Sequence, residues 1–175
     1  MNQFDAEDKY FETNSQGLTK TALITALYVA LTFIIAPVGF GPIQFRISES
    51  LNFLGLFRKR YVTSITLGVM IVNAMLSTPI DIIVGTFHTL VSLLISRWIA
   101  YKLAPKFKNE RIGQFVIMTL VFTFTMFIIA WMLTYIGAVP FFWETYLTLA
   151  LSEFIAMSIG SLVIYPLSLR IDFTK

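Results

Sequence analysis

The chain has 175 residues, 57% of them hydrophobic and only 13% charged, and a mean hydropathy of +0.76. A composition this apolar excludes an ordinary soluble domain of that length and describes an integral membrane protein. The formal net charge is +3, and with no cysteine present neither disulfides nor thiolate metal sites are available.

Residues 1–17 are polar and acidic, carrying Asp5, Glu7, Asp8 and Glu12 against Lys9. They form neither a cationic signal-peptide start nor a basic arm, and read as a mobile or surface-lying tail with no assigned role. Residues 18–175 read as a single membrane domain. Its first spanning segment runs from Leu18 to Ala36, with Pro37 and Gly39 as its stop. Ala22, Ala26 and Ala30 recur every four residues along it and build a smooth stripe. In lipid such a stripe permits close approach of another helix, belonging either to this protein or to a partner.

The stretch from Gly41 to Arg60, GPIQFRISESLNFLGLFRKR, follows. Arg58, Lys59 and Arg60 form a basic cluster of the kind that marks a cytoplasmic boundary. Glu49 lies nine residues before Arg58, about 13 Å along an α-helix and near mid-depth in a hydrocarbon core of roughly 30 Å. A carboxylate at that depth is a functional candidate. The apolar run from Leu51 to Phe57 falls far short of the roughly 20 residues that a span requires. The segment GFGPIQF is therefore expected to supply the remaining depth as non-helical backbone, shielded by protein or lining a cavity.

A third segment, Tyr61 to Ser77, places Thr66, Asn73 and Ser77 on one helical face, where interhelical hydrogen bonding and ligand binding are both open to Asn73. The fourth, Ile80 to Leu103, carries Asp81, Gly85, His88 and Ser92 as a continuous polar stripe toward the bundle interior. Asp81, just after Pro79, suits either a site or a helix N-cap. His88 is the one histidine, and without a second histidine or a cysteine it suits packing through a hydrogen bond better than metal ligation. No metal and no cofactor is expected. A basic connector, Lys102 to Arg111, leads to the fifth segment, Ile112 to Val139, closed by Gly137 and Pro140. The sixth runs from Phe141 to Leu169. Its Glu144 and Glu153 are nine residues apart and so point to opposite faces. Glu153, sharing a face with Tyr146, Ala156 and Gly160, is the deep one, while Glu144 belongs at headgroup level.

Six segments put both ends on one side, and of the 13 Lys and Arg only Arg46 falls on the other. The positive-inside rule then makes both termini cytoplasmic. The opposite half holds Glu49, Asp81, Glu144 and Glu153 against that one arginine, an acid-biased setting for a cationic or donor-rich ligand. No internal repeat supports a transporter of the repeat type, and no HExxH, GxSxG or paired-carboxylate motif supports an enzyme.

The run GPIQFRISESLNFL after TALITALYVALT, then the pattern N…STPIDIIVGT, then ALSEF in the last segment, resembles the QueT family. These are the substrate-binding S components of energy-coupling factor (ECF) importers for queuosine precursors. The resemblance covers Thr19 to Leu169, and GPIQFRISE is its most specific part. It implies a compact all-α six-helix bundle in the cell membrane, with a loop between the first two helices capping an outward site. It also implies a T component and two ATPase subunits as partners, docked on Ala22, Ala26 and Ala30. Nucleic acid is not expected among the partners. The guanine-type edge of such a ligand offers two N–H donors to one carboxylate, and an aminomethyl substituent is a cation for another. Glu49 and Glu153 are the expected carboxylates, with Asp81, Asn73 and Gln44 as further polar contacts. Arg46 is placed to pair with an acid and hold the loop, and Phe45 and Trp131 to stack on the ring. Another vitamin or small cation as ligand, or a small secondary transporter, are the alternatives.

Overall fold

The computed structural model describes residues 8–11, 14–39 and 47–174. Among them are six α-helices and no strand: α1 Ser15–Gly39, α2 Lys59–Leu76, α3 Pro79–Leu103, α4 Glu110–Thr125, α5 Phe127–Tyr135 and α6 Phe142–Arg170. Four stretches are long and apolar enough to cross a membrane: Ser15–Ile34, Pro79–Lys106, Glu110–Tyr135 and Phe142–Arg170. The six helices are not the six segments that hydropathy predicts. The segment ending at Arg60 supplies no α-helix of its own, and the predicted fifth segment is divided in two at Met126. The helix starts also differ slightly, with α1 beginning at Ser15 inside the polar stretch and continuing two residues past Pro37. Asn14 starts it by accepting from the Gly17 backbone N–H at 2.8 Å.

Between α1 and α2 lies a 3-10 helix, Ile47–Leu56, in which every residue from Ser48 to Leu56 is buried. Runs of this length are uncommon because the hydrogen-bond geometry is poorer than in an α-helix. This one is held from outside. With three residues per turn its side chains fall into three straight rows. In the row Ser48, Leu51, Leu54, the Ser48 hydroxyl takes a 2.7 Å hydrogen bond from Thr32 of α1. In the row Ser50, Phe53, Leu56, the Phe53 ring stacks on Phe115 of α4 at 4.4 Å and 9°. In the row Glu49, Asn52, Gly55, Tyr28 of α1 donates to Glu49 and Arg97 of α3 donates to the Gly55 carbonyl. A rise of about 2.0 Å per residue carries the chain about 14 Å from Glu49 to Leu56 alone. Glu49 therefore lies farther from the basic cluster than α-helical spacing predicts.

The tightest contact sets where α6 crosses this element. A Cβ on Gly160 would stand 2.4 Å from Ser50 Cβ and 2.8 Å from Ser50 Cα, so glycine alone lets the two backbones meet.

One end of the bundle is tied by its cations. Arg58 Nε donates to the Thr174 carbonyl at 2.5 Å and Arg111 Nη1 to the Ser168 carbonyl at 2.5 Å. The start of α2, the start of α4 and the chain after α6 thus share that end. Asp8, from the polar N-terminal stretch, also belongs there. Asp8 is 5% exposed, accepts from the Lys59 backbone N–H at 2.9 Å and pairs with Arg97 at 3.4 Å. It caps α2 from outside the helix, since Arg58 at the N-cap position makes no side-chain cap.

On α1, Tyr28 and Thr32 are buried while Ala22, Ala26 and Ala30 are exposed. The alanine stripe faces away from the rest of this chain.

Replacing Gly160 with Ala is expected to force α6 off the 3-10 helix and to lower stability by about 1–3 kcal/mol, the usual range for an overpacked core. Thermal melting in detergent checks this, and an unchanged midpoint would show that the contact yields without strain.

Candidate functional site

A cavity of about 420 Å³ lies among the 3-10 helix, α2, α3, α5 and α6. Its lining includes Glu49, Asn73, Asp81, His88 and Glu153, so four of the residues singled out from sequence, together with the histidine, reach one space. The apolar part comes from Val69 and Leu76 of α2, Met126, Ile129, Met132 and Leu133 at and beyond the α4–α5 interruption, and Leu149 of α6.

Glu49 is 6% exposed. Tyr28 Oη donates to its Oε1 at 3.0 Å and Asn52 Nδ2 to its Oε2 at 2.5 Å. A carboxylate removed from water is costly unless donors replace the lost hydration, and these two supply one to each oxygen. They also fix the plane of the group. The i, i+3 spacing of the 3-10 helix puts Asn52 directly over Glu49, which an α-helix would place off the row.

Glu153 is buried and lines the cavity from α6, whereas Glu144 is exposed. The opposite-face argument therefore places both as expected.

Asp81 is half-buried at the end of α3 away from Lys102. Thr78 donates to its Oδ2 from both the backbone N–H, at 3.0 Å, and the hydroxyl, at 2.8 Å. Thr78 rather than Asp81 is the N-cap residue, and Asp81 sits three positions on, closing the capping box while it lines the cavity. Asp81 is thus not the N-cap itself but its N3 partner in the capping box, and it borders the cavity from there.

Asn73 is 2% exposed. Its Nδ2 donates to the Asp81 carbonyl at 3.1 Å, and a Cβ on Gly85 would stand only 2.5 Å from that nitrogen. Gly85 makes room for the amide.

His88 is buried, with Nε2 3.1 Å from Thr125 Oγ1, and Ser92 Oγ is 2.7 Å from the same hydroxyl. Thr125 in turn reaches back to the Phe122 carbonyl at 3.1 Å. This chain ties α3 to the last turn of α4, just where the helix is interrupted and the cavity wall of α5 begins. Neither Gly nor Pro marks that interruption, and Thr125 is the functional-site neighbour that sequence reading passed over. Its only signal was a threonine near the register of the α3 polar stripe.

One expectation fails on geometry. Trp131 is 65% exposed on the outer surface of α5, 6.0 Å from the Tyr135 ring, and does not line the cavity. It lies one position from buried Met132, and on a nine-residue helix with an apolar residue at almost every position, hydropathy could not tell the inner face from the outer. No aromatic ring other than the His88 imidazole lines the cavity among the described residues. Gln44, Phe45 and Arg46 lie outside the described residues. No group of residues that could hold a metal ion occurs among the described residues.

A second depression, between α4 and α6, is walled almost wholly by apolar side chains such as Phe115, Leu120, Phe154 and Leu162. It lacks the charge of the first.

Residues 18–169 match the QueT transporter family. The chain belongs to the QueT family of membrane transporters. It is similar to the queuosine precursor transporter QueT of Lactococcus lactis subsp. cremoris (strain MG1363), 36% identical over an alignment of 172 residues that covers 94% of this chain and 99% of that protein. No solved structure matches the chain.

Thr125→Val removes the hydroxyl shared by His88 and Ser92 and leaves both beside an apolar surface. The expected loss is about 1–3 kcal/mol for buried partners left unsatisfied, read as a lower melting midpoint. An unchanged midpoint would show that the three-residue chain contributes nothing to joining α3 and α4.

Proposed function

We propose that this QueT-family protein is the substrate-binding S component of an energy-coupling factor importer and that its ligand is a queuosine precursor with a 7-deazaguanine base. The observation that carries the reading is the meeting of Glu49, Asp81 and Glu153 with Asn73 in one cavity at the end of the bundle away from its basic cluster. Three carboxylates around a space of this size suit a small ligand rich in N–H donors and positive charge. The relative from Lactococcus lactis bears the name of a queuosine precursor transporter, and a guanine-type edge with an aminomethyl arm has that chemistry.

In this reading both termini are cytoplasmic, as the positive-inside rule requires of Arg58–Arg60, Lys102–Arg111 and Arg170, and the cavity opens outward. The T component and two ATPase subunits supply the energy. The T component docks on Ala22, Ala26 and Ala30, whose exposure on α1 leaves a smooth face for close helix packing.

Glu49→Gln tests the ligand. The fold tolerates the change, because Asn52 Oδ1 has no hydrogen-bond partner among the described residues and a flipped Asn52 amide can accept from the new glutamine. Toward the ligand, an acceptor becomes a donor facing donors, and affinity for a 7-deazaguanine base should fall roughly tenfold to a hundredfold. Calorimetry on both proteins decides it. An unchanged dissociation constant removes Glu49 from the site, and tight binding of another vitamin or a small cation in place of the base overturns the ligand assignment.

Ala26→Trp tests the partner. A bulky side chain on an exposed face should leave melting and ligand binding as in the parent, while co-purification with the T component and ATPases, and uptake, are lost. Retained co-purification would place docking elsewhere.

A further inference from the structure

The cavity has two chemically different ends, and the difference orients the ligand. At the inner end Glu49 is rigid, with each oxygen already holding one donor from the protein and its carboxylate plane fixed. Such a group is suited to a planar pair of parallel N–H donors and tolerates little variation in their spacing. At the outer end stand Asp81 and Asn73. Because a carbonyl can only accept, the Asn73–Asp81 main-chain hydrogen bond determines which way the amide is turned. Asn73 Oδ1 is consequently an acceptor that is buried, rigid and without a hydrogen bond from any described residue. A buried acceptor of this kind costs stability unless a ligand donor meets it. The Asp81 carboxylate is half-buried and anchored through one oxygen by Thr78. Asn73 and Asp81 both line the cavity, and together they offer a neutral acceptor and a carboxylate to a primary ammonium group. Asp81 stands in the first turn of α3 and Glu49 on the 3-10 helix, so the two carboxylates reach the cavity from different elements.

We infer that Asn73 and Asp81 form an ammonium subsite at the mouth of the cavity, so that the base enters with its guanine-type edge toward Glu49 and its 7-aminomethyl arm toward the α2–α3 link. This rests on the 7-deazaguanine reading above and adds to it the orientation and the preference among precursors. The rigid inner end reads the part common to all such bases, and the outer end reads the substituent. A 7-cyano group has no proton to give and leaves Asn73 Oδ1 and Asp81 unmet, so the cationic arm is selected. Met126, Met132 and Val69 line the same cavity, and thioether sulfur takes the place of an aromatic platform for the ring.

The test is calorimetry with 7-aminomethyl- and 7-cyano-7-deazaguanine on the parent, Asp81→Asn, Thr78→Val and Glu49→Gln. The parent should bind the aminomethyl base roughly tenfold to a hundredfold more tightly than the cyano base, the range for a charge-assisted contact made or left unmade. Asp81→Asn retains an oxygen for Thr78 and should abolish that ratio by weakening the aminomethyl base alone. Thr78→Val removes one of the two donors that hold the Asp81 carboxylate but keeps its charge, and should lower the ratio by less than Asp81→Asn does. Glu49→Gln should weaken both bases alike. A parent that binds both bases equally, or an Asp81→Asn protein that keeps the parent's ratio, overturns the ammonium subsite while the deazaguanine reading stands. A parent that binds neither base overturns that reading itself.

Discussion

Ser50 and Gly160 meet at a distance that no side chain larger than glycine's allows, and this contact seats the 3-10 helix in the middle of the bundle. Once seated there, Ile47–Leu56 has helices on each of its three rows, and its nine buried residues exchange water for specific neighbours. The 3-10 form is intrinsically weaker than the α form, so it persists only where those neighbours are in place. Thr32, Tyr28, Phe115 and Arg97 come from α1, α4 and α3, so the segment gathers almost the whole fold around itself. Glu49 owes its depth, and its alignment with Asn52, to that geometry.

The cavity illustrates how a membrane protein carries charge inside apolar surroundings. Buried carboxylates are costly, and the donors from Tyr28 and Asn52 offset that cost at Glu49. Asp81 avoids most of it by standing at a helix N-terminus, where the helix dipole and the Thr78 donors favour negative charge. Between these ends the wall is methionine and aliphatic, which adapts its shape more readily than aromatic rings would. Specificity then rests on the few polar groups and on their being held still.

The two faces of α1 divide the labour. Its inner face donates hydrogen bonds to Glu49, Ser48 and the Ser64 carbonyl, while the outer face keeps small alanines exposed among large apolar residues such as Leu23 and Ile34. The face of α1 that holds Glu49 and the face proposed for docking are thus opposite sides of one helix.

Composition and the 3.6-residue period were enough to read an all-α membrane protein and to single out Glu49 and Glu153, which are buried, because burying charge in lipid is so costly that a lone acid in an apolar run is conspicuous. The angular argument that separates Glu144 from Glu153 needed nothing beyond helix geometry. Other features had no such local signature. The 3-10 form of Ile47–Leu56 depends on packing by five α-helices, α1, α2, α3, α4 and α6, and the capture of Asp8 on a helix start that its own N-cap residue leaves unsatisfied, while the interruption at Met126 has neither Gly nor Pro to announce it. The outward turn of Trp131 was equally hidden, since every face of α5 is apolar and only its neighbours decide which one is inside. Periodicity and charge report how a residue relates to water and lipid. Which residues meet across the bundle is decided by close packing between elements far apart in the chain, and that only the tertiary structure contains.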